Sequence, residues 1–441
     1  MAGIFKAYDI RGIYGETLTD EIAFRIGRAF VTLLGCRNVV VGRDMRPHSE
    51  PLFEALARGL NRQGAEVIDL GLCSTPMSYF ANGRLGAEGG IMITASHNTG
   101  EWNGFKLSRA EAVPISGDTG IGDIERIVAE GAFAEASDTP GRVVARPELC
   151  EDYVQHIRSL VSLARPVRAV VDYANAMGLV EGRAFEGLIE VDPLFDTLDG
   201  TFPNHEANPL KIETLAFASR RLKERGGDLG IAFDGDADRV GFLDERGEPI
   251  PMDLITALIA QTLLRERSGA PILVDLRSSW AVREAIAEAG GTPILSRVGH
   301  AFIKRQMREA DALFAGELSG HYYFRENYFT ESSALAALRI AALVSAADTP
   351  LSELIAPLRR YHATGEINSR VADTEAVLAR LEERYPGGRV LRLDGLSIEF
   401  DDWWFNVRAS NTEPLVRLNL EAKSREAMEQ RRDEVLALIR G

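Results

Sequence analysis

The feature that most constrains the fold is a repeated pattern in which a short apolar run leads directly into a polar loop. Each run is long enough for one buried strand, and several are separated by apolar residues at helical spacing. Strands that alternate with helices in this way predict an α/β fold with mixed, largely parallel sheets. The runs are residues 39–42, 90–93, 169–172, 230–233 and 271–275.

The length of 441 residues is too great for one hydrophobic core and predicts several domains. The similar strand-to-loop joins suggest three related α/β units, which we place at residues 1–147, 148–247 and 248–360. From residue 361, strands follow one another beside helices, which is typical of a small α+β domain with an antiparallel sheet at residues 361–441. Because no low-complexity linker separates these units, we expect all four to pack around a central cleft.

Charge and cysteine content exclude several classes of protein. The formal net charge of -15 argues against a nucleic-acid partner, which needs a concentrated basic surface. It leaves open a small anionic substrate, because a local arginine cluster can bind phosphate within an acidic protein. Cys36, Cys73 and Cys150 are too few and too widely spaced for a disulfide framework or a zinc site.

The start of the chain and its apolar runs bear on its location. The first residues carry charge too early for a signal peptide, and no uninterrupted apolar run is long enough to cross a bilayer. We therefore expect a cytoplasmic protein without a membrane partner.

Three carboxylates alternate on a loop between two apolar strands, at Asp234, Asp236 and Asp238. A divalent cation would offset their mutual repulsion, and Mg²⁺ on three protein oxygens would keep positions for a phosphate oxygen. An EF-hand is excluded because Arg239 stands at its sixth position, where the turn needs glycine, and because the flanks are strands. A solvated acidic turn remains the alternative.

A serine, Ser96, follows the buried run 90–93. On such a loop a ligand can approach the hydroxyl closely, and backbone N–H groups can face a bound anion. Lys106 comes soon afterwards and could fold back over the serine. Taken alone, a serine after a strand is more often a turn or helix-capping residue.

Four further stretches carry groups that suit a sugar phosphate. Arg408 offers a bidentate fork for phosphate beside Ser-Asn-Thr hydrogen-bonding groups, although a hairpin turn would also use such residues. Glu317 and Ser319 lie between glycines and suit vicinal hydroxyls, with a tight loop as the alternative. The remaining candidates, each with a structural alternative as a helix start or a surface turn, are Gly299 and His300 in RVGH and Tyr8 and Arg11 in AYDIRG.

Taken together, these stretches occur in the order AYDIRG, TASHN, DGDADR, RVGH, GELSGH and RASNTEP. That order resembles the α-D-phosphohexomutase superfamily, and within it the phosphomannomutase/phosphoglucomutase branch. The resemblance implies four domains around a cleft and a catalytic phosphoserine at Ser96. It also implies that Asp234, Asp236 and Asp238 bind Mg²⁺ together with a phosphate oxygen of that serine.

The resemblance assigns further residues to two groups around the substrate. Arg11, His97, Lys106 and Arg239 would surround the transferring phosphoryl group, and Lys106 or a neighbour would handle the hydroxyl proton. Sugar hydroxyls would be held by Glu317 and Ser319. The phosphate that does not react would be held by Arg408, Ser410, Asn411 and Thr412 with help from Tyr8, Gly299, His300 and Arg277, the last in place of a common lysine.

The implied activity is the interconversion of hexose 1-phosphate and hexose 6-phosphate through a 1,6-bisphosphate, with hexose 1,6-bisphosphate as activator. Leu318 stands where phosphoglucosamine mutases tend to have glutamine, which favours mannose or glucose as the hexose. Thr99 and Trp102 also depart from the usual pattern of the branch near Ser96. We expect a monomer or homodimer. The alternatives are a phosphoglucosamine mutase, a metal-dependent sugar-phosphate phosphatase and a non-enzymic sugar-phosphate sensor.

Overall fold

The structure is a computed structural model, and it describes residues 3–409 and 415–441. Within these ranges the strands form four sheets, of which the first three mix parallel and antiparallel pairs and the fourth is antiparallel. The predicted fold class is confirmed: three α/β units with parallel strands at their centres precede an α+β unit.

The first unit follows directly from its sequence pattern. The hydroxyl of Thr19 accepts a hydrogen bond from the backbone N–H of Ile22 at 3.3 Å, which caps the first helix as its position before two acidic residues predicts. Its strands are β1 (Ile10–Ile13), β2 (Asn38–Arg43), β3 (Glu66–Leu72), β4 (Gly89–Ile93), β5 (Trp102–Arg109) and β6 (Val143–Ala145), and its helices are α1 (Asp20–Leu34), α2 (Ser49–Arg62), α3 (Thr75–Leu85) and α4 (Ile121–Glu130).

Residues 116–147 are polar and show no clear sheet pattern in the sequence, yet β6 lies within them and pairs in parallel with β3. Its side chains are exposed or half-buried at the sheet edge. A short strand in that position needs no apolar alternation, and therefore leaves no signal in the sequence.

The second and third units repeat the plan. In the second, the strands are β7 (Val167–Asp172), β8 (Ile189–Leu194), β9 (Leu229–Phe233), β10 (Val240–Leu243) and β11 (Pro249–Ile250), and the helices are α5 (Glu148–Ser159), α6 (Gly178–Glu181) and α7 (Ala216–Arg225). In the third, the strands are β12 (Pro271–Asp275), β13 (Thr292–Ser296), β14 (Phe314–Gly316), β15 (Tyr322–Phe324) and β16 (Thr330–Glu331), and the helices are α8 (Met252–Glu266), α9 (Trp280–Glu288), α10 (His300–Glu309), α11 (Ser333–Ala346) and α12 (Leu351–Ile355).

The same strand order recurs in these three sheets. The neighbours run β5-β4-β2-β3 in the first, β10-β9-β7-β8 in the second and β15-β14-β12-β13 in the third. In each, the strand that ends the parallel set turns back as an antiparallel partner. The loops of these three hairpins carry Ser96, the three aspartates and Glu317 respectively, so the repeat brings three of the predicted motifs to equivalent positions.

The fourth unit is built on an antiparallel sheet, as its sequence predicts. The residues that join its longest pair of strands, 410–414, lie outside the described ranges. Its strands are β17 (His362–Ala363), β18 (Ile367–Arg370), β19 (Arg389–Leu391), β20 (Leu396–Glu399), β21 (Trp403–Ala409) and β22 (Leu415–Ala422), and its helices are α13 (Thr374–Arg384) and α14 (Arg425–Arg440).

Each sheet belongs to one unit, but the largest hydrophobic cluster extends over three units. One large cluster joins side chains of the first three units, and a second lies within the first unit alone. The fourth unit has its own cluster around Trp403 and Phe405. The three cysteines are free and buried, which confirms that they act as small apolar side chains.

In the described ranges no single helix is both long and apolar enough to cross a bilayer. One pair of helices, Ser333–Ala346 and Leu351–Leu358, reaches that length and composition only when taken together, and its members are bent by 103° relative to each other.

Candidate active site

The serine loop between β4 and β5 is held in an uncommon conformation. Ser96 has a φ of +52°, in the left-handed region that side chains other than glycine rarely adopt. The guanidinium of Arg46, which is fully buried, donates to the carbonyl oxygens of Ser96 at 2.8 Å, Asn98 at 2.6 Å and Thr99 at 2.7 Å. Asp44 in turn accepts from Arg46 Nε at 3.1 Å. This bonding fixes the position of the serine hydroxyl.

The loop between β9 and β10, residues 234–239, packs directly against the serine loop. A Cβ atom on Gly235 would lie 2.1 Å from the carbonyl oxygen of Ser96, so only glycine allows the two loops to approach this closely. The hydroxyl of Ser96 donates to Asp234 Oδ2 at 2.9 Å. The serine and the aspartates that the sequence singles out separately therefore lie together. We call residues 234–239 the aspartate loop.

The three carboxylates of the aspartate loop are buried, and two of them share one cationic side chain. Asp236 Oδ2 accepts from Lys106 Nζ and from the hydroxyl of Thr75, each at 2.6 Å, and Lys106 also contacts Asp238. The Oδ1 atom of Asp236 is buried and has no hydrogen-bond partner among the described residues. One oxygen of each aspartate lies within 4.8 Å of the others, so the oxygen set fits a hard divalent cation.

The electrostatics of the aspartate loop also suit a cation. Burial, and then the charges of Asp238 and Asp236, raise the pKa of Asp234 well above its usual value. Burial would do the same to Asp238, but Lys106 and His321 outweigh it and hold the pKa of that carboxyl well below its usual range. A bound cation would keep all three carboxylates ionised.

The other predicted catalytic side chains surround the serine. His97 Nδ1 lies 3.1 Å from Ser96 Oγ, and burial together with Arg239 lowers the pKa of that imidazole. Arg11 donates to Asn98 Oδ1 at 2.7 Å and to Asp9 at 2.7 Å. Arg239 Nε lies 3.9 Å from the nearest oxygens of two of the aspartates. The structure thus brings together Ser96, Arg11, His97, Lys106 and Arg239.

The loop between β14 and β15 carries Glu317 and Ser319, the residues predicted to contact the sugar. Glu317 Oε1 accepts from the backbone N–H of Gly299 at 3.0 Å, and Oε2 accepts from the hydroxyl of Tyr323 at 2.7 Å. Ser319 Oγ lies 2.8 Å from His321 Nδ1. Burial would raise the pKa of Glu317, but the hydrogen bond and charge of His321 outweigh it and lower that pKa. The carboxylate is therefore ionised and fixed in place.

His300 and Tyr8 lie next to each other beside a buried ion pair. Their ring centroids are 5.7 Å apart, and His300 Nδ1 lies 4.0 Å from Glu331 Oε1. Lys304 Nζ lies 2.7 Å from Glu331 Oε2 and 3.7 Å from the centroid of the Tyr79 ring. Burial, reinforced by Lys304, holds the pKa of His300 well below its usual value, so this imidazole is neutral.

Three arginines from the third and fourth units converge on one carboxylate, that of Glu366. Arg408 Nη2 donates to Glu366 Oε2 at 2.9 Å and Arg417 Nη1 donates to Oε1 at 3.1 Å. Arg277 reaches Oε2 at 3.4 Å while its Nε donates to both oxygens of Asp275 at 3.0 Å. We call Arg277, Arg408 and Arg417 the guanidinium cluster. The other predicted phosphate ligands, Ser410, Asn411 and Thr412, lie outside the described residues.

Comparison with known proteins identifies the family. Models of the phosphoglucomutase/phosphomannomutase family match consecutive parts of the chain: alpha/beta/alpha domain I at residues 2–135, domain II at 151–247, domain III at 251–361 and the C-terminal domain at 366–438. The chain belongs to the phosphoglucomutase/phosphomannomutase family. A phosphomannomutase from Salmonella montevideo is 42% identical to this family member over 448 residues, which cover 99% of this chain and 98% of that protein.

Solved structures of the family agree. A phosphoglucomutase/phosphomannomutase family protein from Burkholderia thailandensis superposes with a TM-score of 0.92 and 33% identity, over 99% of this chain and 96% of that one. An N-acetylphosphoglucosamine mutase from Aspergillus fumigatus, in complex with GlcNAc-6P and magnesium, shares the fold with a TM-score of 0.63 and 14% identity over 100% of this chain and 96% of that one.

Three side chains of this family member's site were not selected from the sequence. Arg46 and Glu366 are two of them, and His321 is the third. His321 Nε2 lies 3.3 Å from Asp238 Oδ1 and its Nδ1 lies 3.1 Å from Glu317 Oε2. Burial would lower its pKa, but Asp238 and Glu317 outweigh burial and raise the pKa to about 9. The signal was present, because His321 closes the GELSGH motif two residues after Ser319.

Proposed function

We propose that the chain is a phosphohexomutase that interconverts hexose 1-phosphate and hexose 6-phosphate, with mannose or glucose as the hexose. The observation that carries this proposal is the contact between the hydroxyl of Ser96 and Asp234, 2.9 Å long, within a buried set of three aspartates. A guanidinium cluster elsewhere in the cleft supplies a second place for an anion. Two anion sites serve a reaction whose intermediate carries two phosphates.

The donor set supports Mg²⁺ as the cofactor. Asp234, Asp236 and Asp238 would hold it together with a phosphate oxygen on Ser96, since the buried Oδ1 atom of Asp236 has no hydrogen-bond partner in the described ranges. When bound, the ion neutralises charge on the transferring phosphoryl group. The Aspergillus fumigatus mutase of the same fold is complexed with magnesium, which supports the same choice here.

In the proposed transfer, the phosphorus of phosphoserine 96 forms a bond to a free sugar hydroxyl while its bond to Ser96 Oγ breaks. The sugar hydroxyl gives its proton to a side chain of the site, and Ser96 Oγ takes up a proton as it leaves the phosphorus. When the bisphosphate returns a phosphoryl group to Ser96, the serine hydroxyl gives up that proton and the sugar oxygen takes one up. Lys106 and His321 both contact the carboxylate of Asp238 and are the candidates for this proton transfer. Arg11, His97 and Arg239 stabilise the charge of the phosphoryl oxygens.

The substrate is held at two further places in the proposal. Glu317 and Ser319 bind hydroxyls of the hexose. Arg408, Ser410, Asn411 and Thr412 bind the phosphate that does not react, with help from Tyr8, Gly299, His300 and Arg277. The bisphosphate then turns end for end, and its other phosphate returns to Ser96. A hexose 1,6-bisphosphate activates the enzyme by phosphorylating the serine.

The organisation of the proposed enzyme follows the sequence interpretation. Its four units extend over residues 1–147, 148–247, 248–360 and 361–441. We infer that it acts in the cytoplasm on a small sugar phosphate, as a monomer or homodimer. The sugar phosphate bound by the Aspergillus fumigatus mutase supports this class of ligand.

A coupled mutase assay tests the proposal. Mannose 1-phosphate, glucose 1-phosphate and glucosamine 1-phosphate are supplied in parallel, each with magnesium and a trace of hexose 1,6-bisphosphate. We expect turnover of the first two. Turnover of glucosamine 1-phosphate alone would reassign the enzyme to amino sugars, and release of free phosphate without a hexose 6-phosphate would reassign it as a phosphatase.

A further inference from the structure

The guanidinium cluster is arranged around a carboxylate that belongs to the protein itself. Glu366 receives its hydrogen bonds from one arginine of the third unit and two of the fourth. Burial alone would raise the pKa of Glu366, but Arg277, Arg408 and Arg417 outweigh it and hold that pKa below its usual value. The side chain is therefore an anion at neutral pH, and it occupies guanidinium groups that suit a phosphate.

Stabilisation of the fold does not explain why these arginines lie together. Arg408 and Arg417 lie directly opposite each other on β21 and β22, where like charges repel. The Nε atoms of both are buried without a hydrogen-bond partner in the part of the chain that the structure describes. A buried donor without an acceptor is unfavourable, so the cluster has more donors than Glu366 can satisfy. A phosphate, with more acceptor oxygens and up to two charges, would satisfy them.

The net charge of the guanidinium cluster depends on whether Glu366 occupies it. Asp275 neutralises Arg277, whereas the ion pairs of Arg408 and Arg417 in the described ranges are both made with Glu366. The three arginines and two carboxylates leave a net charge of one positive unit on the cluster. Without the carboxylate of Glu366 the net charge would be two positive units, and the attraction for a phosphate dianion would rise accordingly.

We propose that Glu366 is a positioning residue that competes with the non-reacting phosphate of the sugar for the guanidinium cluster. This inference rests on the proposed function. The carboxylate orients the three guanidinium groups in the free enzyme and yields to the phosphate when the sugar binds. When the bisphosphate must turn end for end, the carboxylate replaces the departing phosphate and so lowers the barrier to its release.

The competition matters because a mutase must release one phosphate in the middle of its cycle. A cluster that bound phosphate as tightly as three unopposed guanidinium groups allow would hold the intermediate in one orientation. Tighter binding in every state lowers KM and gives no gain in kcat. Removing the competitor would also slow the release of the phosphate when the bisphosphate turns, so we expect KM and kcat to fall together.

The decisive variant is Glu366→Gln, which keeps the size of the side chain and removes its charge. Glu399→Gln is the matched control, because Glu399 also joins the third and fourth units through Arg283 and Arg389 but makes no contact in the described ranges with the guanidinium cluster. Binding of inorganic phosphate and of glucose 1-phosphate is measured by calorimetry, and kcat and KM are measured in the mutase assay.

We expect Glu366→Gln to tighten phosphate binding by about tenfold and to lower both KM and kcat. Glu399→Gln should leave phosphate affinity at the native value. Unchanged or weaker phosphate binding by Glu366→Gln would overturn the inference, as would equal tightening by the control or a lower KM with kcat unchanged. If Glu366→Gln does not fold, Glu366→Asp draws the carboxylate back by one methylene and should tighten phosphate binding by a smaller factor.

The phosphate titration needs no turnover, so the two proposals fail separately. Tighter phosphate binding in a protein without mutase activity would refute the proposed function and retain the competition at the cluster. An active mutase in which Glu366→Gln binds phosphate no more tightly would refute the competition alone.

Discussion

The aspartate loop and the guanidinium cluster are opposite in charge and alike in design. The aspartate loop gathers carboxylates around one ammonium group, that of Lys106, and Asp236 keeps a buried oxygen that no described residue bonds. The guanidinium cluster gathers arginines around Glu366 and keeps two buried N–H donors that no described residue accepts. In each, a side chain of the opposite sign offsets only part of the charge. In the proposed function the remaining charge selects the ligand, a cation at the first and an anion at the second.

The two regions differ in how firmly they are held. The aspartate loop is fixed through its backbone, by the close approach at Gly235 and the left-handed conformation of Ala237. The guanidinium cluster consists of long side chains, two of them on neighbouring strands. In the proposed mechanism the rigid loop would position one reacting phosphorus atom, whereas the adaptable arginines would accept either end of a hexose bisphosphate. The contrast would then explain how one site serves two orientations of one intermediate.

The largest expected effect is on the side of the aspartate loop. Ser96→Ala removes the group that carries the phosphoryl unit, and mutase turnover should fall by about a thousandfold or more. Binding of glucose 1-phosphate, measured by calorimetry, should remain because the guanidinium cluster is intact. Ser108→Ala is a suitable control, since this buried hydroxyl bonds the carbonyl oxygen of Gly90 instead. Full activity of Ser96→Ala would refute the phosphoserine mechanism.

Removing one charge from each region tests whether the guanidinium cluster and the aspartate loop bind different ligands. Arg408→Ala should raise KM for glucose 1-phosphate by about tenfold to a hundredfold, because a charged hydrogen-bond donor to phosphate is lost. Its dependence on Mg²⁺ concentration should stay native. Asp236→Asn should show the reverse, with weaker Mg²⁺ activation and native affinity for glucose 1-phosphate. Equal effects of both variants on both titrations would contradict the separation of the two sites.

The rigidity of the aspartate loop can be tested at Gly235. A methyl group there would overlap the carbonyl oxygen of Ser96, so Gly235→Ala should lower the free energy of unfolding by about 3 kcal/mol and reduce turnover. Gly387→Ala is the control, because a Cβ at Gly387 meets nothing within 4 Å. Thermal and denaturant unfolding measure both variants. A stability of Gly235→Ala equal to that of the control would show that the loop adapts.

The smallest expected effect is a pH dependence of the stability, which arises from Glu181. Glu181 is buried where the first three units meet, and it accepts hydrogen bonds from the hydroxyl of Tyr153 at 3.0 Å and the N–H of Ala334 at 3.3 Å, as well as from the hydroxyl of Ser74. Burial raises its pKa to about 7, despite the three hydrogen bonds that oppose the shift. The folded state therefore favours the protonated acid.

The sign of the pH dependence follows from that raised pKa. The stabilisation is fully present below the unfolded pKa of about 4.5 and is lost as pH rises through 7. Glu181→Gln removes the titration, so its stability relative to the native protein should increase by about 2 kcal/mol between pH 5 and pH 8. Glu186→Gln, at an exposed position of the same segment, should show no such trend in denaturant unfolding. A pH-independent difference for Glu181→Gln would contradict the assignment.

The positions of Ser96 and of the three aspartates could be predicted from the sequence. Ser96 and the aspartates each follow a fully buried strand, and loops at the ends of such strands meet at one edge of a sheet. The sequence pattern also predicts α1, where apolar residues at helical spacing follow the capping residue Thr19. In these places, local pattern and tertiary environment require the same residues.

The residues that were missed act through distant or weakly patterned contacts. Arg46 supports the serine loop through backbone carbonyls some fifty positions further along the chain, and carbonyls carry no sequence signal. Glu366 stands in a stretch without any motif, and its importance arises only when arginines from two units converge on it. His321 belongs to a motif that was noticed, but a contact between Asp238 and His321 joins separate units and cannot be read from spacing.

The matching strand order of the first three sheets bears on how such an enzyme could arise. Duplication of one unit would provide three hairpins in equivalent positions before the loop of any hairpin had acquired a function. Each loop could then diverge on its own, one acquiring a nucleophile, one a set of acids and one a group that recognises hydroxyls, while the sheets beneath stayed unchanged. New specificity in descendants of this protein is therefore most accessible at the loop between β14 and β15, where a change leaves the serine and the acids untouched.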